Sequence, residues 1–98
     1  MTIYQIITMT EIATGISAAR LKSRDRSRRV AYARFLAIAE IRRQFKSWTL
    51  EEIGKVFNRD HGTVINAIER AAQLTKTDDD FRQMAERITN PRPAPKQL

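Results

Sequence analysis

The single histidine of this 98-residue chain, His61, stands in the run Arg59-Asp60-His61, and the sequence holds no cysteine. One imidazole without thiols or convincing carboxylate pairs leaves little from which to build a catalytic site, a thiolate zinc site or a disulfide framework. No catalytic residue, metal ligand or cofactor is therefore expected, and Asp78-Asp79-Asp80 reads as charge favoured at a helix start. What the chain has in excess is cations. Eighteen Lys and Arg against 11 Asp and Glu give a net charge of +7. Between Arg20 and Arg34 stand Arg20, Lys22, Arg24, Arg26, Arg28, Arg29 and Arg34, with Asp25 as the one acid. Such density exceeds what solubility needs and points to a polyanionic partner, nucleic acid first. Arg24, Arg28, Arg29, Arg34, Lys46 and Lys55 are the candidates for phosphate neutralisation, which positions a protein without specifying sequence. Arg59 joins them from the run beside His61.

The elements that must hold these residues are helical. Ile3, Ile6, Ile7, Met9, Ile12 and Ala13 recur at helical spacing, and Gly15 follows as a residue that commonly ends a helix, predicting a helix over 3–14. Ser17 is an N-cap candidate for a short helix over 17–22. Val30, Ala33, Ala37, Ile41 and Phe45 form one stripe, widened by Leu36 and Ile38, which predicts a long central helix over 27–45. Lys46-Ser47-Trp48 reads as a turn, Trp48 packing there rather than stacking on a base. Thr49 and Glu52 fit a capping box for a helix carrying Leu50, Ile53, Val56 and Phe57 inward and ending near Asn58, which tolerates a left-handed backbone. Asp60 can cap the next helix, with Val64, Ala67, Ile68, Ala71 and Leu74 on its buried face. A last helix from Thr77 or Asp78 places Phe81, Met84, Ala85 and Ile88 inward, and Pro91, Pro93 and Pro95 prevent its extension. The expectation is an all-α domain over 1–89, of five or six helices around a helix-turn-helix, followed by a disordered Pro-rich tail over 90–98.

In a helix-turn-helix the second helix meets the major groove with its amino-terminal residues. Asp60 can accept from a cytosine amino group, and His61 can meet a base edge or a thymine methyl. Each has a plainer reading beside this one: Asp60 as a cap, His61 as a cap or a packed side chain. Cap and base contact coexist on Asp60 only if its two oxygens divide the tasks.

The run from Thr49 to Val64, with its Leu50-Glu51-Glu52-Ile53-Gly54 helix and Arg59-Asp60-His61-Gly62-Thr63-Val64 head, resembles the C-terminal box-binding domain of DnaA, the bacterial replication initiator. Arg26 and Arg34 stand at that family's eight-residue spacing, and Gly15-Ile16-Ser17 is similar to its start. The resemblance spans roughly residues 3–74. It implies base contacts by Asp60 and His61, a minor-groove role for Arg26 in the basic loop, and a base or backbone contact by Thr63. Arg26 should then favour narrow, A·T-rich grooves, whose negative potential is enhanced. The partner implied is double-stranded DNA, with modulation of replication initiation or of transcription as the outcome.

Two departures bear on this. Gly62 replaces the family's first Thr after the His, and Asn58 alone stands where the family has paired glycines before Arg59. No Gly-rich phosphate loop ending in Lys-Ser or Lys-Thr is present, so the sequence carries no nucleotide-binding module and implies box binding without ATP-driven initiation. Two other readings stand: a protein-interaction module for replication or phage proteins, and a transcriptional regulator with an unrelated operator, which Gly62 keeps open. The stretch from Met1 to Thr10 is too short to span a bilayer and lacks a basic start and a cleavage site. The expected location is the cytoplasm of a bacterium, on its nucleoid, for a host- or phage-encoded protein, and the Met1 start predicts a free-standing one.

Overall fold

A computed structural model describes residues 2–89 of the chain, and the Pro-rich tail expected over 90–98 lies outside them. Six helices follow one another: α1 (Ile3–Thr14), α2 (Ala18–Leu21), α3 (Arg28–Gln44), α4 (Leu50–Val56), α5 (His61–Thr77) and α6 (Asp79–Thr89). No strand occurs among the described residues, so the fold is all-α as the spacing predicts.

The helix ends follow from local chemistry. Thr2 and Gln5 form a capping box at the start of α1, and Gly15 closes that helix at φ 76°, a left-handed conformation that costs a side-chain-bearing residue energy. Ser17 accepts from the Arg20 amide at the head of α2. Thr49 and Glu52 satisfy each other's free amides at the head of α4, and Asp60 accepts from the Thr63 amide at the head of α5. Asp78 caps α6 with one oxygen, taking the Phe81 amide at 3.0 Å. Its second oxygen accepts from the Tyr32 hydroxyl at 2.8 Å and lies 3.3 Å from Arg28, so the α5–α6 junction is pinned to α3.

Helix α3 runs through the centre. Val30, Ala33, Ala37, Ile38 and Ile41 are buried against Ile6 and Ile7 of α1, Ile53 of α4 and Val64 and Ala67 of α5, with Leu21 and Phe57 sealing the cluster. A second cluster joins Leu36 to Ala71 and Leu74 of α5 and to Phe81 and Ile88 of α6. Tyr32 meets Phe81 edge-on at 5.4 Å, and Ala13, Met84 and Ala85 cover that cluster. One element of the α1 stripe departs from expectation. Ile12 is 79 % exposed, because the side of α1 packed on α3 and α6 is set by Ile6, Ile7, Thr10 and Ala13. Thr10 is buried in a position that the spacing gave to no polar residue, and its hydroxyl is satisfied by donating to the Ile6 carbonyl. Trp48 packs on Phe45 with ring centroids 6.0 Å apart, and its carbonyl accepts from Arg42, which ties the α3–α4 turn down.

Candidate nucleic-acid interface

The turn between α4 and α5 is made by a close approach. The Gly54 carbonyl accepts from both the Phe57 and Arg59 amides, and a Cβ on Gly54 would lie 2.3 Å from the Arg59 carbonyl oxygen. Only glycine lets the chain cross so near the end of α4. Asn58 supplies the positive φ of 56° that turns the backbone, and Phe57 anchors the turn in the core with no exposed surface. Helix α5 consequently leaves the turn with its first residues in solvent.

Those residues are His61, Gly62 and Thr63, all exposed. The Asp60 cap bond to the Thr63 amide uses Oδ1 at 2.8 Å. That bond, then the Thr63 hydroxyl and the neighbouring His61, hold the Asp60 carboxyl below its ordinary range, so it is ionised at neutral pH. Gly62 has helical backbone, and a Cβ there would meet nothing nearer than an Asp60 oxygen at 3.8 Å. One turn further on, Ile65 is 37 % exposed and Asn66 is exposed on the same helix. Neither was singled out by the sequence reading. The signal was available, since positions 65 and 66 follow Gly62 at the three- and four-residue spacing that puts them on its face.

The basic loop between α2 and α3 is ordered by its own polar groups. Ser23 Oγ donates to the Arg20 carbonyl and accepts from the Asp25 amide, while Asp25 Oδ1 takes the Ser27 amide at 2.8 Å. Asp25 also pairs with Arg20 at 2.8 Å, and this ion pair with the Ser27 bonds lowers its carboxyl to about 2. Arg24 and Arg26 are exposed on this loop, and among the described residues neither makes an ion pair or a side-chain hydrogen bond. Lys46 in the α3–α4 turn and Lys55 in the last turn of α4 are exposed and similarly unpaired.

Four of the arginines expected to face phosphates also have partners within the protein, Arg28 and Arg29 while exposed. Arg34 is 7 % exposed. Its Nε donates to the Leu21 carbonyl at 2.7 Å, and its Nη2 lies 3.1 Å from the Ser23 and Asp25 carbonyls and 3.4 Å from that of Arg20. Burial, then the nearby Arg59, make its charged form less favourable than in water. Arg59 turns inward, donating to the Phe57 and Asn58 carbonyls and, across 36 residues, to the Ser23 carbonyl. Arg28 lies over the Tyr32 ring and pairs with Asp78, and Arg29 donates to the Thr14 carbonyl at the end of α1. The sequence stripe that buries Val30, Ala33 and Ala37 also sets these directions. Arg34 follows Val30 by four residues and faces inward with it, whereas Arg28 and Arg29 lie in the first turn of α3 toward α1 and α6.

The site residues thus divide into two groups. Asp60, His61 and Thr63 share the exposed head of α5, and Arg24 and Arg26 share the loop that Arg59 binds to that head. Arg34 is buried behind that loop, whereas Arg28 and Arg29 are exposed at the start of α3 with bonds to Asp78 and the Thr14 carbonyl. The unpaired charges of Arg24 and Arg26 on the loop suit an extended anion. No helix of the described residues is long and apolar enough to cross a membrane. Residues 3–71, from the first residue of α1 into α5, match the family model described as the bacterial dnaA protein helix-turn-helix.

Proposed function

We propose, for a chain that belongs to the bacterial DnaA helix-turn-helix family, sequence-specific binding of double-stranded DNA at sites of the initiator-box type, with modulation of replication initiation or of transcription by occupancy. The observation that carries the reading is the tether between two exposed determinants: the head of α5 and the Arg24/Arg26 loop are joined through the Arg59–Ser23 bond. A fixed separation lets a minor-groove arginine and a major-groove helix act on one site without the cost of ordering the arm at each binding event.

In this reading the head of α5 enters the major groove. His61 and Thr63 meet base edges or a thymine methyl, and the Asp60 oxygen not used by the cap accepts from a cytosine amino group. Arg26 enters the adjacent minor groove, while Arg24, Lys46 and Lys55 neutralise phosphates. Ile65 offers an apolar contact to a thymine methyl and Asn66 an amide for adenine. Gly62 supports a second specificity, since it removes one side chain from the reading head and so favours an operator that differs from the initiator box at that position.

The test is selection of duplexes from a random pool, followed by affinities on the selected and a scrambled duplex over a range of salt. We expect a selected site with an A·T-rich tract beside the major-groove contacts, and a log-log salt slope of about 0.9 per phosphate contacted. His61→Ala should lose roughly 1–3 kcal/mol on the selected site and little on the scrambled one. Absence of any enriched duplex, or affinity independent of salt, would overturn the reading and leave a protein-interaction module in its place.

A further inference from the structure

We propose that Arg34 and Arg59 are positioning residues, a two-arginine brace that fixes the distance between the basic loop and the head of α5 and thereby sets the spacing between minor-groove and major-groove contacts that a DNA site must have. This rests on the DNA-binding reading above and deepens it.

The two guanidinium groups approach the loop from opposite sides of the sequence, Arg34 from the middle of α3 and Arg59 from the turn before α5, and both donate to the Ser23 carbonyl. Arg34 also takes the carbonyls of Leu21 and Asp25, on either side of Ser23, so the loop backbone from 21 to 25 is wrapped around one planar fork. That arrangement uses guanidinium geometry. Several donors in fixed directions satisfy several carbonyls at once, which a compact ammonium does not. Bringing two cations together on one carbonyl is electrostatically unfavourable, and Asp25, whose charge partly offsets this at Arg34, is itself paired with Arg20. An arrangement that carries such a penalty, with one arginine 7 % exposed, is not accounted for by solubility.

Its effect is to convert a six-residue connection, residues 22–27, into a rigid arm. The loop's own bonds among Arg20, Ser23, Asp25 and Ser27 order it locally. Without the brace that loop would lack its ties to α3 and to the head of α5, and Arg26 would sample a range of positions relative to His61. With it, the spacing between the two grooves is decided before DNA arrives. The charged Arg34 contributes no phosphate contact, so its role differs in kind from that of Arg24 or Arg26.

The experiment compares the wild type with Arg34→Lys, Arg59→Lys and Arg24→Ala, each checked for native melting and helix content. Hydrogen exchange of the Ser23, Asp25 and Ser27 amides is measured without DNA. Affinities are then measured on the selected duplex, on the same duplex with one base pair inserted between its A·T tract and the bases read by α5, and on a scrambled duplex over a salt range. The insertion moves one contact set by about 3.4 Å along the axis. Wild type should lose roughly tenfold to a hundredfold on the inserted duplex, the worth of one groove's contacts. The two lysine variants should lose severalfold on the selected duplex, show faster loop exchange, and suffer a markedly smaller insertion penalty than wild type. Their salt slope on scrambled DNA should be unchanged, whereas that of Arg24→Ala, which removes a phosphate contact, falls by about 0.9. An insertion penalty in the lysine variants equal to that of wild type would overturn the proposal, as would a drop in their salt slope by about one contact. If Arg34→Lys does not fold, the partly exposed Arg59→Lys carries the same comparison. If no duplex is bound at all, the functional reading fails, and loop exchange alone decides the brace: unchanged protection in a folded lysine variant rejects it.

Discussion

The chain has three glycines, and the structure assigns them three different reasons to be glycine, so replacing each by alanine should give three different results. At Gly54 the new Cβ would stand 2.3 Å from the Arg59 carbonyl oxygen and 3.3 Å from Val64 Cγ2. A carbon and a carbonyl oxygen ordinarily keep about 3.3 Å, so the turn must retreat by about 1 Å. Overpacking of that kind costs about 1–3 kcal/mol, and weakening the Gly54 carbonyl's bonds to Phe57 and Arg59 adds about 1 kcal/mol. Improved helix propensity returns about 1 kcal/mol, leaving Gly54→Ala destabilised by about 2 kcal/mol, or a melting temperature lower by roughly 10 °C. Gly15→Ala keeps its space, with Arg29 at 3.6 Å, but holds a left-handed φ of 76°, which costs alanine about 1 kcal/mol. Gly62→Ala has helical backbone and no contact closer than 3.8 Å, so it should be stabilising by about 0.5 kcal/mol. Thermal and urea unfolding followed by far-ultraviolet circular dichroism measure all three. A Gly54→Ala protein as stable as wild type would refute the close approach that forms the turn. A Gly62→Ala protein with lowered stability would refute a helical backbone at the reading head. The same freedom lets Gly62→Thr fold, and that variant should discriminate an initiator-type box from a scrambled duplex by about 1 kcal/mol more than wild type.

Asp60→Asn should retain the cap on the Thr63 amide while replacing an acceptor oxygen by a donor, so melting should change by only a few tenths of a kcal/mol while affinity for the selected duplex falls by about 1–3 kcal/mol. Asp60→Ala should lose both, and equal effects of the two variants on stability would show that the cap is not made. Acid should weaken the fold through Asp25, Asp60 and Asp78, whose carboxyls all titrate below the ordinary value of 3.8 in the folded state. Because folding lowers these values, their stabilisation is present above about pH 4 and is lost as pH falls through the folded values, near 2 for Asp25. Melting followed between pH 6 and pH 2 should show the decline beginning below pH 4, and the triple Asp→Asn variant should show a shallower one.

The elements were legible in the sequence because their signals are local. Thr49 with Glu52, Ser17, Asp60 and Gly15 mark helix ends through bonds that span three or four residues, and the spacing of Val30, Ala33, Ala37 and Ile41 identifies the buried face of α3 without knowledge of what covers it. The exposed head of α5 follows from the same local logic, since a capped helix after a tight turn presents its first residues. The destinations of the charged side chains are not local. Sequence alone counts arginines, and a guanidinium on a long side chain reaches solvent, a carboxylate or a distant carbonyl with equal ease. The destination of Arg28 depends on Asp78, 50 residues away, and that of Arg59 on Ser23, 36 residues away. Arg34 lies four residues beyond Val30 on the buried face of α3, so its inward direction was encoded in the pattern, but the carbonyls that make burial of its charge tolerable come from α2 and the loop. Local hydrogen bonding and periodicity determined the helices and the turn. The packing of α2, α3 and the α4–α5 turn around Ser23 decided that Arg34 and Arg59 bind carbonyls of the protein itself, because only the folded chain brings those carbonyls within reach.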